Sequence, residues 1–109
     1  MIPYGRHSTS FLDALRVFNQ VKFKSLTQGK SINELEESVA EYVGAKYAVA
    51  VSSATAGLHL SLLALNLIEN SKVISSPISF VASTNAALYC NLTPYFVDVD
   101  LKTGNITPE

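Results

Sequence analysis

The sequence predicts an α/β layer fold around a largely buried sheet. Three observations carry that prediction. Apolar residues recur at helical spacing in two early stretches. Three short runs, Tyr47–Val51, Val73–Ser75 and Tyr95–Val99, have the length and residue types of buried strands. Helix-type segments separate those runs, giving the order α-α-β-α-β-α-β.

Residues 1–9, with Pro3 and Gly5, read as an extended arm. Ser10-Phe11-Leu12-Asp13 is a helix start, with a hydroxyl at the N-cap and an acid three residues on. Phe11, Ala14, Leu15, Phe18 and Val21 then share one helical face. The pattern dissolves around Lys24, and Leu26-Thr27-Gln28-Gly29-Lys30 reads as a loop. Ser31-Ile32-Asn33-Glu34 predicts a second capping box for a helix over 32–43, carried by Ile32, Leu35, Val39, Tyr42 and Val43. Gly44 is placed to end it in a left-handed conformation. After the strand at 47–51 come the small-residue turn Ser52–Gly57 and a helix over Leu58–Leu67. A strand at 73–75 ends before Pro77, Ser79–Tyr89 is helical, and 95–99 is the third strand. Thr107-Pro108-Glu109 has the make-up of a helix start, which predicts that these residues open a longer protein.

Composition narrows the function classes. The chain has 109 residues, 48% hydrophobic and 16% charged, which is globular and not disordered. Eight basic residues against nine acidic ones leave no cationic excess for nucleic acid. One cysteine, Cys90, cannot form an internal disulfide, which fits a reducing compartment. The apolar stretch Leu58–Ile68 is interrupted by His59, Ser61 and Asn66 and falls short of the roughly 20 residues of a membrane span. With no apolar leader in the first fifteen residues, the expectation is a cytoplasmic protein.

Two segments have the make-up of a site. Ser52-Ser53-Ala54-Thr55-Ala56-Gly57, between a strand and a helix, offers small residues, hydroxyls and a helix N-terminus. That combination suits a phosphate, although an ordinary N-cap uses the same residue types. Phe80, at the mouth of a helix, is placed to stack on a planar ligand or to fill a core. No G-x-G-x-x-G or Walker-type signature occurs. His7 and His59 have no third ligand at metal spacing, so no metal is expected; His59 reads as packing on its own helix. Cys90 reads as a small semi-buried residue, and Asp98 with Asp100 as a solvated strand-to-turn pair. Glu36, Glu37 and Glu41 read as a solvated helix face. On residues alone an enzyme segment, a stand-alone phosphate-ligand binding module and an interaction fragment all stay open.

Taken in order, six segments resemble a known family. They are Ile2-Pro3-Tyr4-Gly5-Arg6, Leu26-Thr27-Gln28-Gly29-Lys30, Glu41–Ala48, Ser52–Leu60, Pro77–Leu88 and Pro94–Asp100. The resemblance is to the DegT/DnrJ/EryC1/StrS family of pyridoxal-phosphate-dependent nucleotide-sugar aminotransferases, and within it to the altrosamine transaminases of the pseudaminic acid route. It implies an aspartate-aminotransferase-like (fold type I) large domain, present here as an incomplete N-terminal portion. Residues 1–30 would form the arm, helix and substrate loop, and 31–109 the start of the cofactor-binding domain. It further implies a dimer that moves an amino group, usually from L-glutamate, onto a 4-keto-6-deoxy nucleotide sugar. Carried onto this sequence, it assigns Ala54, Thr55 and Ala56 to the phosphate of pyridoxal 5'-phosphate and Phe80 to its ring. Tyr4, Lys24, Ser25, Leu26 and Thr27 would lie near the substrate. The turn departs from the family pattern at Ser52 and at Ala56-Gly57, both conservative changes. None of the six lysines, Lys22, Lys24, Lys30, Lys46, Lys72 and Lys102, stands in the family's Schiff-base motif. The resemblance places that lysine, and the aspartate that pairs with the pyridine nitrogen, beyond residue 109. These 109 residues alone are therefore expected to be inactive.

Overall fold

A computed structural model describes residues 5–107. They divide into two compact units, meeting in sequence at Ala50 and Val51. Each is described by itself.

The first unit holds α1 (Phe11–Phe23) and α2 (Lys30–Val43). The predicted capping box opens α1. Ser10 Oγ accepts from the Asp13 N–H, and the Asp13 carboxylate accepts from the Ser10 N–H at 2.8 Å. The second predicted box does not form. Gly29 is the N-cap of α2 and has no side chain to offer, so Ser31 falls inside the first turn. Its hydroxyl donates to Gln20 Oε1 instead. The C-terminus of α2 follows the sequence: Gly44 takes φ 68°, and the Ala45 N–H returns to the Ala40 carbonyl at 2.9 Å. The run Tyr47–Val51 is irregular and not a strand, contrary to expectation. A strand needs a neighbouring ladder, and none lies beside this run among the described residues. One of its N–H groups finds a side chain: Ala50 N donates to Glu36 Oε1 at 2.7 Å. Glu36 is therefore half-buried and bonded, whereas Glu37 and Glu41 stay in solvent.

The second unit holds α3 (Ala54–Ala64), β1 (Lys72–Ser75), α4 (Ala82–Tyr89) and β2 (Thr93–Phe96). The strands are parallel, in the register Lys72↔Thr93 through Ser75↔Phe96, with α4 as the crossover between them. The Thr93 N–H to the Ser71 carbonyl and the Val97 N–H to the Ser75 carbonyl extend the ladder at both ends. α4 packs on both strands and on α3. Its alanines make that close approach possible: Ala82, Ala86 and Ala87 are buried, and Leu92 joins them. The sheet is less buried than the sequence predicts, because α4 alone covers it and Ile74 and Phe96 stay more than half exposed.

Helix bounds shift for local reasons. α3 begins inside the small-residue turn, at Ala54, and ends before Asn66, which adopts φ 46°. α4 begins at Ala82 and not at Ser79; Asn91, at φ 54°, follows its end. β2 closes at Phe96. Beyond it, Val99 pairs with Ile106 across a hairpin in which Gly104 takes φ 71°. Asp100 organises that turn, its carboxylate accepting from the Thr103 N–H at 2.8 Å and the Lys102 N–H at 3.0 Å. Those bonds hold its pKa below the ordinary value. His59, half-buried, sets its ring edge-on to Tyr89 of α4, 5.5 Å between centroids. Cys90 is half-buried as expected, its thiol 3.8 Å from the His59 carbonyl. Of the predicted helix start at 107–109, residues 108 and 109 lie outside the described residues, and Thr107 is irregular.

Candidate functional site

The second unit carries the phosphate-type turn. Ser53 is the N-cap of α3: its backbone is extended, its Oγ accepts from the Ala56 N–H at 3.2 Å, and its carbonyl accepts from the Gly57 N–H at 3.0 Å. Two first-turn donors are then left over. The Ala54 and Thr55 N–H groups make no hydrogen bond among the described residues, and neither does the half-buried Thr55 hydroxyl. No acidic side chain stands in the turn. Ala54 and Ala56 show only methyl groups, so an anion can approach the backbone. Two free N–H groups, one hydroxyl and the positive end of an eleven-residue helix fit the phosphate of a cofactor such as pyridoxal phosphate. The bond from Ala56 to Ser53 commits one of the three expected donors. Ser53, read from the sequence as part of this turn, is the N-cap that shapes it.

Phe80 lies in the turn that leads from β1 into α4. Its carbonyl accepts from the Ser83 N–H at 3.1 Å, and the flanking Ser79 and Ser83 hydroxyls pair at 3.2 Å. The backbone is thus held while the ring stands 71% exposed, so it is not a core residue in this unit. α4 starts after the C-terminal end of β1, so Phe80 stands at the carboxyl end of the parallel pair, where open α/β sheets bind ligands. α3, which carries the turn at its N-terminus, packs on α4.

The first unit carries the substrate-type loop, residues 24–29. Lys24 is the C-cap of α1, and Leu26 and Thr27 are exposed at the apex. The Ser25 carbonyl accepts from Gln20 Nε2 at 2.7 Å. Tyr4 lies outside the described residues. The structure thus places Ala54, Thr55 and Ala56 in the first turn of α3, Phe80 in the turn before α4, and Lys24, Ser25, Leu26 and Thr27 in one loop.

The model of the DegT/DnrJ/EryC1/StrS aminotransferase family matches residues 12–109. The chain is 36% identical over 106 residues to the UDP-4-amino-4,6-dideoxy-N-acetyl-beta-L-altrosamine transaminase of Campylobacter jejuni, covering 97% of this chain and 28% of that protein. It superposes on Helicobacter pylori PseC, an aminotransferase involved in the biosynthesis of pseudoaminic acid, with a TM-score of 0.89 at 32% identity over 96% of this chain and 29% of that one. It also superposes on the E. coli GDP-4-keto-6-deoxy-D-mannose-3-dehydratase with bound hydrated PLP, with a TM-score of 0.90 at 26% identity over 96% of this chain and 28% of that one. The chain spans about a quarter of the length of the curated relatives it matches. The fold is accordingly a partial α/β segment of the fold type I, PLP-dependent kind. On the family match over residues 12–109 and the identity to its members, the chain belongs to the DegT/DnrJ/EryC1/StrS aminotransferase family.

Proposed function

We propose that the chain supplies the cofactor-phosphate turn and the substrate loop of a nucleotide-sugar aminotransferase. In this reading an amino group passes from L-glutamate to a 4-keto-6-deoxy nucleotide sugar, in a cytoplasmic homodimer that serves polysaccharide or pseudaminic-acid-type sugar synthesis. The observation that carries it is the open first turn of α3, with the Ala54 and Thr55 N–H groups and the Thr55 hydroxyl uncommitted. When bound, pyridoxal phosphate supplies a ring that accepts the electrons released as the amine changes carbon. The residues of this chain bind and orient. Ala54 and Thr55 would hold the phosphate through backbone N–H groups, with Ala56 leaving room beside them. Phe80 would lie flat against the ring and keep water from that face. Tyr4, Lys24, Ser25, Leu26 and Thr27 would contact the nucleotide sugar.

A second reading has one observation behind it, the superposition on a 3-dehydratase. The higher identity to the altrosamine transaminase and to PseC favours amine transfer. Product analysis of the full-length protein with L-glutamate and a UDP-4-keto-6-deoxy-N-acetylhexosamine separates the two. Transfer converts the keto group to an amine with one 2-oxoglutarate per turnover; dehydration removes a hydroxyl and adds no nitrogen to the sugar beyond its N-acetyl group. Thr55→Val should weaken pyridoxal phosphate binding about tenfold, and Thr55→Ser should hold it near the native value. Equal binding by native protein and Thr55→Val would remove Thr55 from the site.

A further inference from the structure

Gln20 lies on the last turn of α1, outside every segment assigned to the site. We infer that it is a positioning residue that fixes how the 24–27 loop meets a nucleotide sugar; the inference rests on the proposed contact between that loop and the substrate. Three observations converge on the loop. Gln20 Nε2 donates to the Ser25 carbonyl at 2.7 Å, and Gln20 Oε1 accepts from the Ser31 hydroxyl at 3.0 Å. A carbonyl can only accept, so the amide nitrogen must face Ser25 and its oxygen is left for Ser31. One side chain of α1 therefore ties the loop and the first turn of α2 together. Gln20 and Ser31 are half-buried, whereas residues 24–28 are exposed.

The second observation is a close approach. A Cβ on Gly29 would sit 3.1 Å from the Ser25 carbonyl oxygen and 3.2 Å from Ser25 Cβ. The φ of Gly29 is −90°, open to any residue, so space and not conformation favours glycine there. The third is Gln28, which holds φ 51°, a left-handed conformation that a non-glycine residue keeps only where its surroundings impose it. Ser25 is thus pinned from two sides. Leu26 and Thr27 stand exposed at the apex, and Thr27 makes no side-chain hydrogen bond among the described residues. Their placement comes from the bracket beneath them. A loop ordered before the substrate arrives loses less freedom on binding.

The test uses the full-length protein, with UDP-N-acetylglucosamine and GDP-mannose as non-reacting probes. Gln20→Glu keeps the shape and the acceptor for Ser31 but puts a carboxylate oxygen against the Ser25 carbonyl. We expect amide exchange over 25–29 to quicken about tenfold and the tighter probe to bind about tenfold more weakly. The spectral change of the cofactor on addition of L-glutamate alone, and the melting temperature, should hold. Loss of the glutamate response together with probe affinity would overturn the inference by making Gln20 a general stability residue. Unchanged probe affinity in Gln20→Glu, alongside weakened affinity in the double variant Leu26→Ala and Thr27→Ala, would also overturn it while leaving the loop's substrate role intact. If neither probe binds the native protein, or the double variant binds it normally, the substrate role of the loop fails, and the inference fails with it.

Discussion

Ser10 and Ser53 both cap a helix with an extended backbone and a hydroxyl that accepts from the N–H three residues on. The rest of the two turns differs. At α1 the residue three places on is Asp13, whose carboxylate accepts from the Ser10 N–H at 2.8 Å and from the Ser10 hydroxyl at 2.7 Å. The anion that the helix end attracts is supplied by the helix itself. At α3 the matching residue is Ala56, which returns nothing. Among the described residues the first two N–H groups are open at both helices, Phe11 and Leu12 at α1 and Ala54 and Thr55 at α3, but only at α3 is there no carboxylate beside them. The same cap is spent on stability in one place and left receptive in the other, and the choice rests on a single position.

The largest effect expected from that comparison comes from copying α1 into α3. Ala56→Asp would place a carboxylate where the phosphate is proposed to sit. Two unit charges about 5 Å apart at an effective dielectric of about 20 repel by about 3 kcal/mol, which is over a hundredfold in affinity. Pyridoxal phosphate binding by the full-length variant should fall by at least that much. The melting temperature of its cofactor-free form should not drop, because an acid in a first turn favours the helix. Retained cofactor affinity would mean that the turn does not hold the phosphate.

The reverse change is smaller and acts on α1. Asp13 sits below the usual carboxylate range, first because its carboxylate accepts from the Ser10 backbone N–H, then because it accepts from the Ser10 hydroxyl. A folded value below the unfolded one means the cap's contribution is complete above about pH 4 and is lost as pH falls through the lower folded value. Carboxyl NMR should show Asp13 titrating below an ordinary aspartate. Ser10→Ala should raise its titration point towards the ordinary value. No upward movement in that variant would show that Ser10 is not what holds the carboxylate.

Ser10 with Asp13, and Gly44, were legible because a cap is settled within four or five residues of chain. The Ser31–Glu34 motif was just as plausible on paper, but Gly29 starts the helix earlier and Ser31 bonds to Gln20, eleven residues back. Tyr47–Val51 has strand residues and no ladder beside it; a strand is a relation between segments, and one segment cannot reveal it. Asn66 and Asn91 ended α3 and α4 through left-handed conformations that the apolar pattern around them concealed. At the candidate site, the small residues of 52–57 pointed to a turn that opens a helix, and α3 starts there. Which N–H groups remain free depends on where one hydroxyl points, and that is geometry. Gln20 left no sequence signal at all, since glutamine on a helix surface is ordinary.

Gly57 gives the smallest expected effect and the finest test of the turn. It is the first residue of α3 whose N–H enters the helical ladder, bonding to the Ser53 carbonyl at 3.0 Å. It therefore lies just past the open donors. Its φ is not left-handed, and a Cβ there would meet only Val51 Cγ2, at 3.4 Å, an ordinary contact. Gly57→Ala removes a flexible residue from a helix without crowding, which should stabilise the fold by about 0.5–1 kcal/mol in denaturant unfolding. Cofactor affinity should stay within about twofold, because the change lies outside the Ala54–Thr55 donor pair. If stability rises and affinity falls sharply, the receptive part of the turn extends to Gly57, and openness belongs to the whole first turn and not to two N–H groups.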